Sequence, residues 1–500
     1  MLKVAAIDVG SNAIRMTVGE VDDSWKVKTI ENIRIPVRLG AGVFTKGMLD
    51  ETSMRQTVDA FRRFQHVAKD FGVVRLRAVA TSAMREAGNG QLLADRIYKA
   101  SEIKVDIIDG DEEARLIHQA VVNTLNIKNK RALLIDIGGG SVEVTLSTGR
   151  NIIFAGSYGM GTVRLLKKLE MKSRSKQTFS ELVHEYTEST RRRIEREIGS
   201  EKIFMCAGTG GSVEEIGRLR QKMFKVESDR FITMHELEQL IERLSPMSIE
   251  ERIRKFKLRP DRADVILPAA IVLHLIAEQA HVKQIAIPNV GLKEGILLDI
   301  AQELSRAPRP QRKEQVLESA LHLGHKYQFD EEHAGLTSRL AAQLFLQSAS
   351  LHDLDESNLL LLEVGALLHD IGHFINTVDH EKHGYYLLKA NHLIGLTERE
   401  QELVANLVRY HRNKTPSIDE DGFKSLPQKD RLTALKLIAL LRLADSLDVS
   451  HTGRIPKVIL KEGKNGWRLK LSNDLLLEKL TIEKRKALFQ TVFAVNLETE

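Results

Sequence analysis

The sequence predicts two related α/β halves, followed by an all-α domain and a small α+β tail. Three observations predict this. An internal echo matches Val4-Ala5-Ala6-Ile7-Asp8-Val9-Gly10-Ser11-Asn12 with Leu133-Leu134-Ile135-Asp136-Ile137-Gly138-Gly139-Gly140-Ser141, each an apolar strand, an Asp, an apolar residue and then glycine. From residue 313 to about 450 the pattern turns helical and Leu-rich, with little strand signal. After that, short strand-like runs return around an Asn465-Gly466 turn.

In chain order, the first echo continues into a period-2 strand in which Ile14, Met16 and Val18 alternate with Arg15 and Thr17. The second does the same, with Val142, Val144 and Leu146 alternating with Glu143, Thr145 and Ser147. Each unit therefore reads as a β-hairpin whose turn carries Asp and Gly. Residues 52–71 have helical spacing, Leu76 to Ala80 and Val105 to Ile108 read as strands, and a helix is entered at Asp111. The second half repeats the scheme through Ile203 to Ala207, a Gly208-Thr209-Gly210-Gly211 loop and a helix. Ser305 to Arg312, with Pro308 and Pro310, reads as a linker. Past the helical region, Pro456 to Leu460 and Trp467 to Leu471 form a hairpin, then come a charged helix and a strand near Thr491 to Leu497. The boundaries are 1–128 and 129–304 for the two halves, 313–454 for the helical domain and 455–500 for the tail.

A chain of 500 residues exceeds what one core serves, so interdomain clefts are expected. The single cysteine, Cys206, excludes an internal disulfide and a Cys-based zinc site, which fits a reducing, cytoplasmic setting. No apolar run is long enough to span a bilayer. The net charge of +6 fits either solvated helix faces or a polyanionic partner, to which Lys167-Lys168, Lys172 to Lys176 and Arg191 to Arg193 would contribute. Aromatic content of 5% leaves little for bases to stack on and weighs against specific nucleic-acid binding.

The paired loops suit phosphate, because glycine lets backbone N–H groups approach the oxygens closely. A carboxylate at each strand end, Asp8 and Asp136, suits magnesium or its waters. Alternation puts Glu143 on the polar face with Ser141 and Thr145, and Arg15 is its echo, each lying seven residues after its Asp. By themselves, Asp111, Glu112 and Glu113 read as the acidic first turn of a helix.

The set Asp8 to Asn12, Thr81-Ser82-Ala83-Met84-Arg85, Gly110 to Leu116, Asp136 to Glu143 and Gly208-Thr209-Gly210 resembles the exopolyphosphatase / guanosine pentaphosphate phosphohydrolase (Ppx/GppA) family. Arg262 to Ile266 and Gly291 to Gly295 extend the resemblance to about residue 300. It implies two actin-like (ribonuclease H-like) domains of the sugar-kinase and Hsp70-like superfamily, a homodimer, and Mg2+ or Mn2+ as cofactor. It also implies Glu113 as the catalytic glutamate that handles water and Arg85 as a phosphate-binding cation. Asp8, Asp136 and Glu143 become metal-handling carboxylates. The phosphate cradle implied is Gly10, Ser11, Asn12 and Arg15, Gly138, Gly139, Gly140 and Ser141, with Gly208, Thr209 and Gly210.

In the helical region, His333, His369-Asp370 and Asp445 resemble the HD phosphohydrolase superfamily, whose members bind divalent metal in a helical bundle. That implies an additional metal site, with His373, His380, His383 and His411 as further candidates; a degenerate domain serving substrate channelling is the competing reading.

The function expected is release of orthophosphate from inorganic polyphosphate, with Arg409, Lys414 and Arg442 extending the cleft for a polymer. The alternative is hydrolysis of guanosine pentaphosphate, or of both substrates. Different readings are a sugar kinase, an ATP-driven filament or chaperone protein, or an HD hydrolase with a nucleotide-sensing N-terminal half.

Overall fold

The computed structural model describes every residue except 128–129, 150, 171–178, 200–201, 306–310, 413, 418–419, 464–465, 472–474 and 500, and the side chains of 170, 180, 311 and 421. The Lys172 to Lys176 cluster, the centre of the expected linker and Asn465 of the expected turn therefore lie outside the described residues. The chain divides into two compact units, Met1–Arg309 and Pro310–Glu500.

The first unit contains two sheets built on one plan. In the first, β1 (Leu2–Val9), β2 (Ile14–Val21) and β3 (Val27–Ile35) form an antiparallel meander, while β4 (Arg75–Ala80) and β5 (Val105–Ile107) add in parallel on the other side of β1. The order is β3-β2-β1-β4-β5. In the second, β6 (Arg131–Ile137), β7 (Val142–Thr148) and β8 (Asn151–Tyr158) repeat the meander, and β9 (Met205–Thr209) pairs in parallel with β6. With β10 (Phe231–Thr233) and β11 (Gln284–Ala286) the order is β10-β11-β9-β6-β7-β8. The echo in the sequence is thus an echo of topology. In each copy the first strand lies in the middle of its sheet, so its apolar run is buried on both faces and its Asp emerges at the strand end.

Helices cover both faces. Glu51–Asp70 is capped by Asp50, whose side chain accepts from Ser53 N–H, and it presses Phe61 and Phe64 into the first core. Ile266–Gln279 is apolar nearly all round and is buried accordingly in the second core. Helices Gly110–Thr124 and Leu292–Ser305 share a third core with β1, β4 and β6, and Gly295 sits so close to Leu116 that a Cβ would lie 2.0 Å from its carbonyl oxygen. Beside that contact, Asp299 accepts from Arg77 at 2.6 Å and from Arg115 at 3.0 Å.

The strand alternation expected for β7 does not produce a wet face. Glu143, Thr145 and Ser147 are as buried as Val142 and Val144, because the helix Gly110–Thr124 covers the polar side. Gly208 lies within β9 opposite Ile135 rather than in the following loop. A Cβ there would meet Val213, Leu273 and Ile285, so this glycine serves core packing, and the turn itself begins with Gly210 at φ +94°.

The second unit is a helical bundle onto which β12 (Ile459–Gly463), β13 (Gly466–Lys470) and β14 (Leu497–Thr499) pack as a small sheet. Its helices and strands share one core, in which Leu460, Trp467 and Leu469 join Leu340, Leu344 and Leu441. The strand expected near Thr491 to Leu497 is displaced. Thr491 to Phe493 end the helix Ala487–Phe493, because Phe489 and Phe493 at i, i+4 both face the core, and Ala494 in the left-handed region stops the helix. Among the described residues, no helix is long and apolar enough to cross a membrane.

Candidate active site

The two hairpin turns close in the same way, Gly10 N–H donating to Ala13 O at 3.2 Å and Gly138 N–H to Ser141 O at 3.1 Å. Those two amides hold their own turns. Among the described residues, the N–H groups of Ser11, Asn12, Gly139 and Gly140 have no backbone acceptor, which leaves them to an anion.

The turns face each other. A Cβ on Gly139 would lie 3.1 Å from the Ser11 Cβ, and one on Gly140 would lie 2.2 Å from Ser82 Oγ and 2.3 Å from the Phe44 ring. Arg164 fixes this approach: Nε donates to Gly140 O at 2.6 Å, Nη2 pairs with Glu86, and the guanidinium lies 4.1 Å from the Phe44 ring centroid. Further round, Arg34 pairs with Asp261, and Arg38 grips Asp264 with bonds of 2.7 and 3.1 Å.

Four carboxylates converge here. Asp8 and Arg15 stand opposite each other in the β1–β2 ladder and pair at 3.1 Å. Asp136 and Glu143 occupy the corresponding register in β6–β7. Thr209 Oγ1 donates to Asp136 at 2.5 Å, and Ser157 Oγ donates to Glu143 Oε1 at 2.8 Å, while Glu143 Oε2 is buried with no partner among the described residues. Glu113 is buried in the first turn of Gly110–Thr124, a helix capped by Asp109, and its Oε2 lies 3.4 Å from Arg85 Nη1. The same Arg85 nitrogen donates to Ile108 O at 2.6 Å, so Arg85 is positioned as well as charged.

Burial and mutual repulsion raise all four acids. Asp8 is pushed up by burial despite Arg15. Asp136 is pushed up to about 6 by burial, with Asp8 adding repulsion, and Glu143 to about 7 by burial and Asp136. Glu113 is held well above the usual carboxylate range by burial and by Glu143, and Arg85 only partly offsets this. Four acids facing Arg15, Arg85 and Lys293, one acid with a buried oxygen that has no partner among the described residues, are a donor set that a divalent cation would satisfy. Asp136 and Glu143 have the capacity to hold it, whereas Asp8 is engaged by Arg15. The expected trio Asp8, Asp136 and Glu143 does not close to within 4.8 Å among the described residues.

Several site residues escaped the sequence reading. Arg262 is buried beside Gly211, donates to Ser212 Oγ at 3.2 Å and has no partner for its Nε among the described residues. Burial and the neighbouring Arg15 and Arg34 push its guanidinium down to about 10. The Arg262 to Ile266 motif was the available signal, but nothing local showed that Arg262 would face Gly211.

Among the described residues, the basic clusters at 167–168 and 191–193 have internal partners. Arg191 and Arg192 share Glu188, and Lys168 donates to Tyr186 OH at 2.8 Å. Arg442, expected to meet polymer, is buried and donates instead to the carbonyls of Tyr410 and Lys414, while Lys414 pairs with Glu420 at 2.5 Å and Arg409 lies 3.9 Å from it.

In the second unit, His333, His369, Asp370 and Asp445 do come together, joined by His373, His380 and His411. His383 belongs to none of the close groups among the described residues.

The model of the Ppx/GppA phosphatase family matches residues 17–304, and that of Ppx/GppA phosphatase domain III matches 317–486. A guanosine-5'-triphosphate,3'-diphosphate pyrophosphatase of Photobacterium profundum is 29% identical over 88% of this chain and 85% of its own length. One of Aliivibrio fischeri is 27% identical over 96% and 95%. The fold is that of an exopolyphosphatase of Cytophaga hutchinsonii, with TM-score 0.56 and 24% identity, covering 60% of this chain and 98% of that one. It is also that of the Aquifex aeolicus Ppx/GppA family member, with TM-score 0.53 and 23% identity over 61% and 99%. The chain therefore belongs to the Ppx/GppA phosphatase family, hydrolases that act on phosphoanhydrides.

Proposed function

We propose that the chain removes the terminal phosphate of inorganic polyphosphate as orthophosphate, with Glu113 as the group that takes the proton of the attacking water. The observation that supports this best is the placement of Glu113: buried, raised well above the ordinary carboxylate range, and 3.4 Å from Arg85 at the cleft. A carboxylate held beside Arg85 at the cleft is positioned to take the proton of a water bound there. Phosphoryl transfer needs positioning and charge stabilisation more than covalent chemistry. The amides of Ser11, Asn12, Gly139 and Gly140 would bind the terminal phosphate oxygens, and Arg85 would hold one oxygen while fixing the Glu113 carboxyl. Arg15 and Arg262, clustered at Gly211, would meet the next phosphates of the chain. Magnesium or manganese held by Asp136 and Glu143 would neutralise phosphate charge.

Guanosine pentaphosphate is the second reading, favoured by the two relatives that match this chain along nearly all of its length and are named as pyrophosphatases of that nucleotide. The helical domain does not separate the readings, since those relatives match across it too. Orthophosphate release from both substrates at equal phosphate-end concentration discriminates between them. A kcat/KM higher for polyphosphate supports the first reading, and turnover of the nucleotide alone overturns it.

A further inference from the structure

On the reading of the first unit's cleft as a phosphate site, we infer that the Asp261 carboxylate holds the place of a phosphate among four arginines, Arg15, Arg34, Arg259 and Arg262, and that an incoming phosphate chain displaces it. Asp261 thereby sets the affinity of the site for the phosphate next to the terminal one.

The sheet builds the first part of the cluster. Asp8, Arg15 and Arg34 form one row across β1, β2 and β3, with Arg15 directly opposite both Asp8 and Arg34. Like charges opposite one another in a ladder repel. Asp8 answers Arg15 at 3.1 Å, and the acid that answers Arg34 comes from the other half of the unit: it is Asp261. From that half also come Arg259, whose Nε lies 3.9 Å from Asp261 Oδ1, and the buried Arg262. A Cβ on Gly211 would lie 2.3 Å from Arg262 Nη2 and 2.9 Å from Arg15 Nη2, so these two guanidiniums flank one glycine.

Asp261 leaves the cluster short of negative charge. Two acids, Asp8 and Asp261, face the four arginines, and Lys293, which also faces Asp8, pairs with Glu294 at 3.3 Å. Arg34 and Arg262 each keep a buried Nε that has no partner among the described residues. Burial, Arg15 and Arg34 together push the Arg262 guanidinium down to about 10, although Asp261 works against them. Asp261 brings a single charge, whereas two linked phosphates bring more charge and more oxygens to share among the guanidiniums.

The carboxylate is also free to leave. The Arg34 and Asp261 side chains are 20% and 17% exposed, so the pair can be reached from solvent. The Asp261 backbone is anchored separately, since Asn12 Nδ2 donates to Asp261 O at 3.1 Å, and the side chain can turn away while the segment stays at the first glycine turn. Nor does contact between the halves depend on this pair: Arg38 grips Asp264 with bonds of 2.7 and 3.1 Å.

The test is calorimetric binding of imidodiphosphate, a non-hydrolysable pair of linked phosphates, to the full chain at fixed free Mg2+. Asp261→Asn should bind it about 2–5-fold more tightly than wild type, the scale of one partly exposed ion pair. That gain should shrink in high salt, and Asp261→Glu should restore the wild-type affinity. The double variant Arg34→Ala/Asp261→Asn should lose the gain, and the KM of Asp261→Asn for polyphosphate should fall in parallel. A residue that only clamps the two halves together gives the opposite sign, so unchanged or weaker binding by Asp261→Asn overturns the proposal. Thermal unfolding checks the fold, and Asp261→Ser makes the same test if Asp261→Asn does not fold. Tighter binding by the variant, without phosphate release from polyphosphate by the wild type, contradicts the proposed function and leaves this inference standing. No binding by either protein overturns both.

Discussion

Asp136 and Glu143 face each other across the β6–β7 ladder in the register that Asp8 and Arg15 occupy across β1–β2. Duplication has kept the geometry and changed one charge. The first hairpin is neutralised internally at 3.1 Å, while the second is left with two buried acids and one unpartnered oxygen. A divalent cation is expected on the second side for this reason.

The first prediction concerns pH. Asp136 near 6 and Glu143 near 7 are raised from ordinary values of 3.8 and 4.5, so the metal-free folded chain binds more protons than the unfolded one in between. Stability from these groups is full below about pH 4 and is lost as pH rises through 6 and 7. Thermal unfolding of the first unit should show Mg2+ raising the transition more at pH 8 than at pH 5.5. Glu143→Gln should raise the metal-free transition at pH 8 and blunt the Mg2+ response.

Gly140 tests the close approach of the two turns. A Cβ would strike Ser82 Oγ at 2.2 Å and the tip of the Phe44 ring at 2.3 Å, and Arg164, stacked on that ring and bonded to Gly140 O, opposes its retreat. Gly140→Ala should cost about 1–3 kcal/mol in chemical denaturation and reduce kcat, because the loops must part to admit the methyl group.

Arg262 should act on binding. With its unpartnered Nε and its Arg15 and Arg34 neighbours, it lies where an anion relieves repulsion among cations. Arg262→Ala should weaken substrate binding by about 1.5–3 kcal/mol, seen as a raised KM with a smaller change in kcat.

The duplication was legible because an apolar strand ending in Asp and Gly is a local signal that appears twice, at Asp8 and at Asp136. Glu113 needed the resemblance: its local signal is only that of an acidic first helical turn, and its burial beside Arg85 depends on the helix Ser82–Glu86 and on β7 and β8 packed against its own helix, which no local pattern carries. Glu143 was placed on the correct face of β7, yet alternation says nothing about what covers that face. Gly208 was misplaced because a strand with glycine as its next-to-last residue looks the same in sequence as a loop that begins with that glycine. Arg442 was misread because an arginine in a helix shows its charge in sequence, but not the carbonyls that Tyr410 and Lys414 bring to it.

The most direct measurement is the steady-state hydrolysis of polyphosphate by Glu113→Gln, with substrate binding followed separately. Gln keeps the size of the side chain and can still meet Arg85, but it cannot take a proton. Binding should stay near wild type while kcat falls about 10²–10⁴-fold. A kcat within a few-fold of wild type would contradict the role given to Glu113.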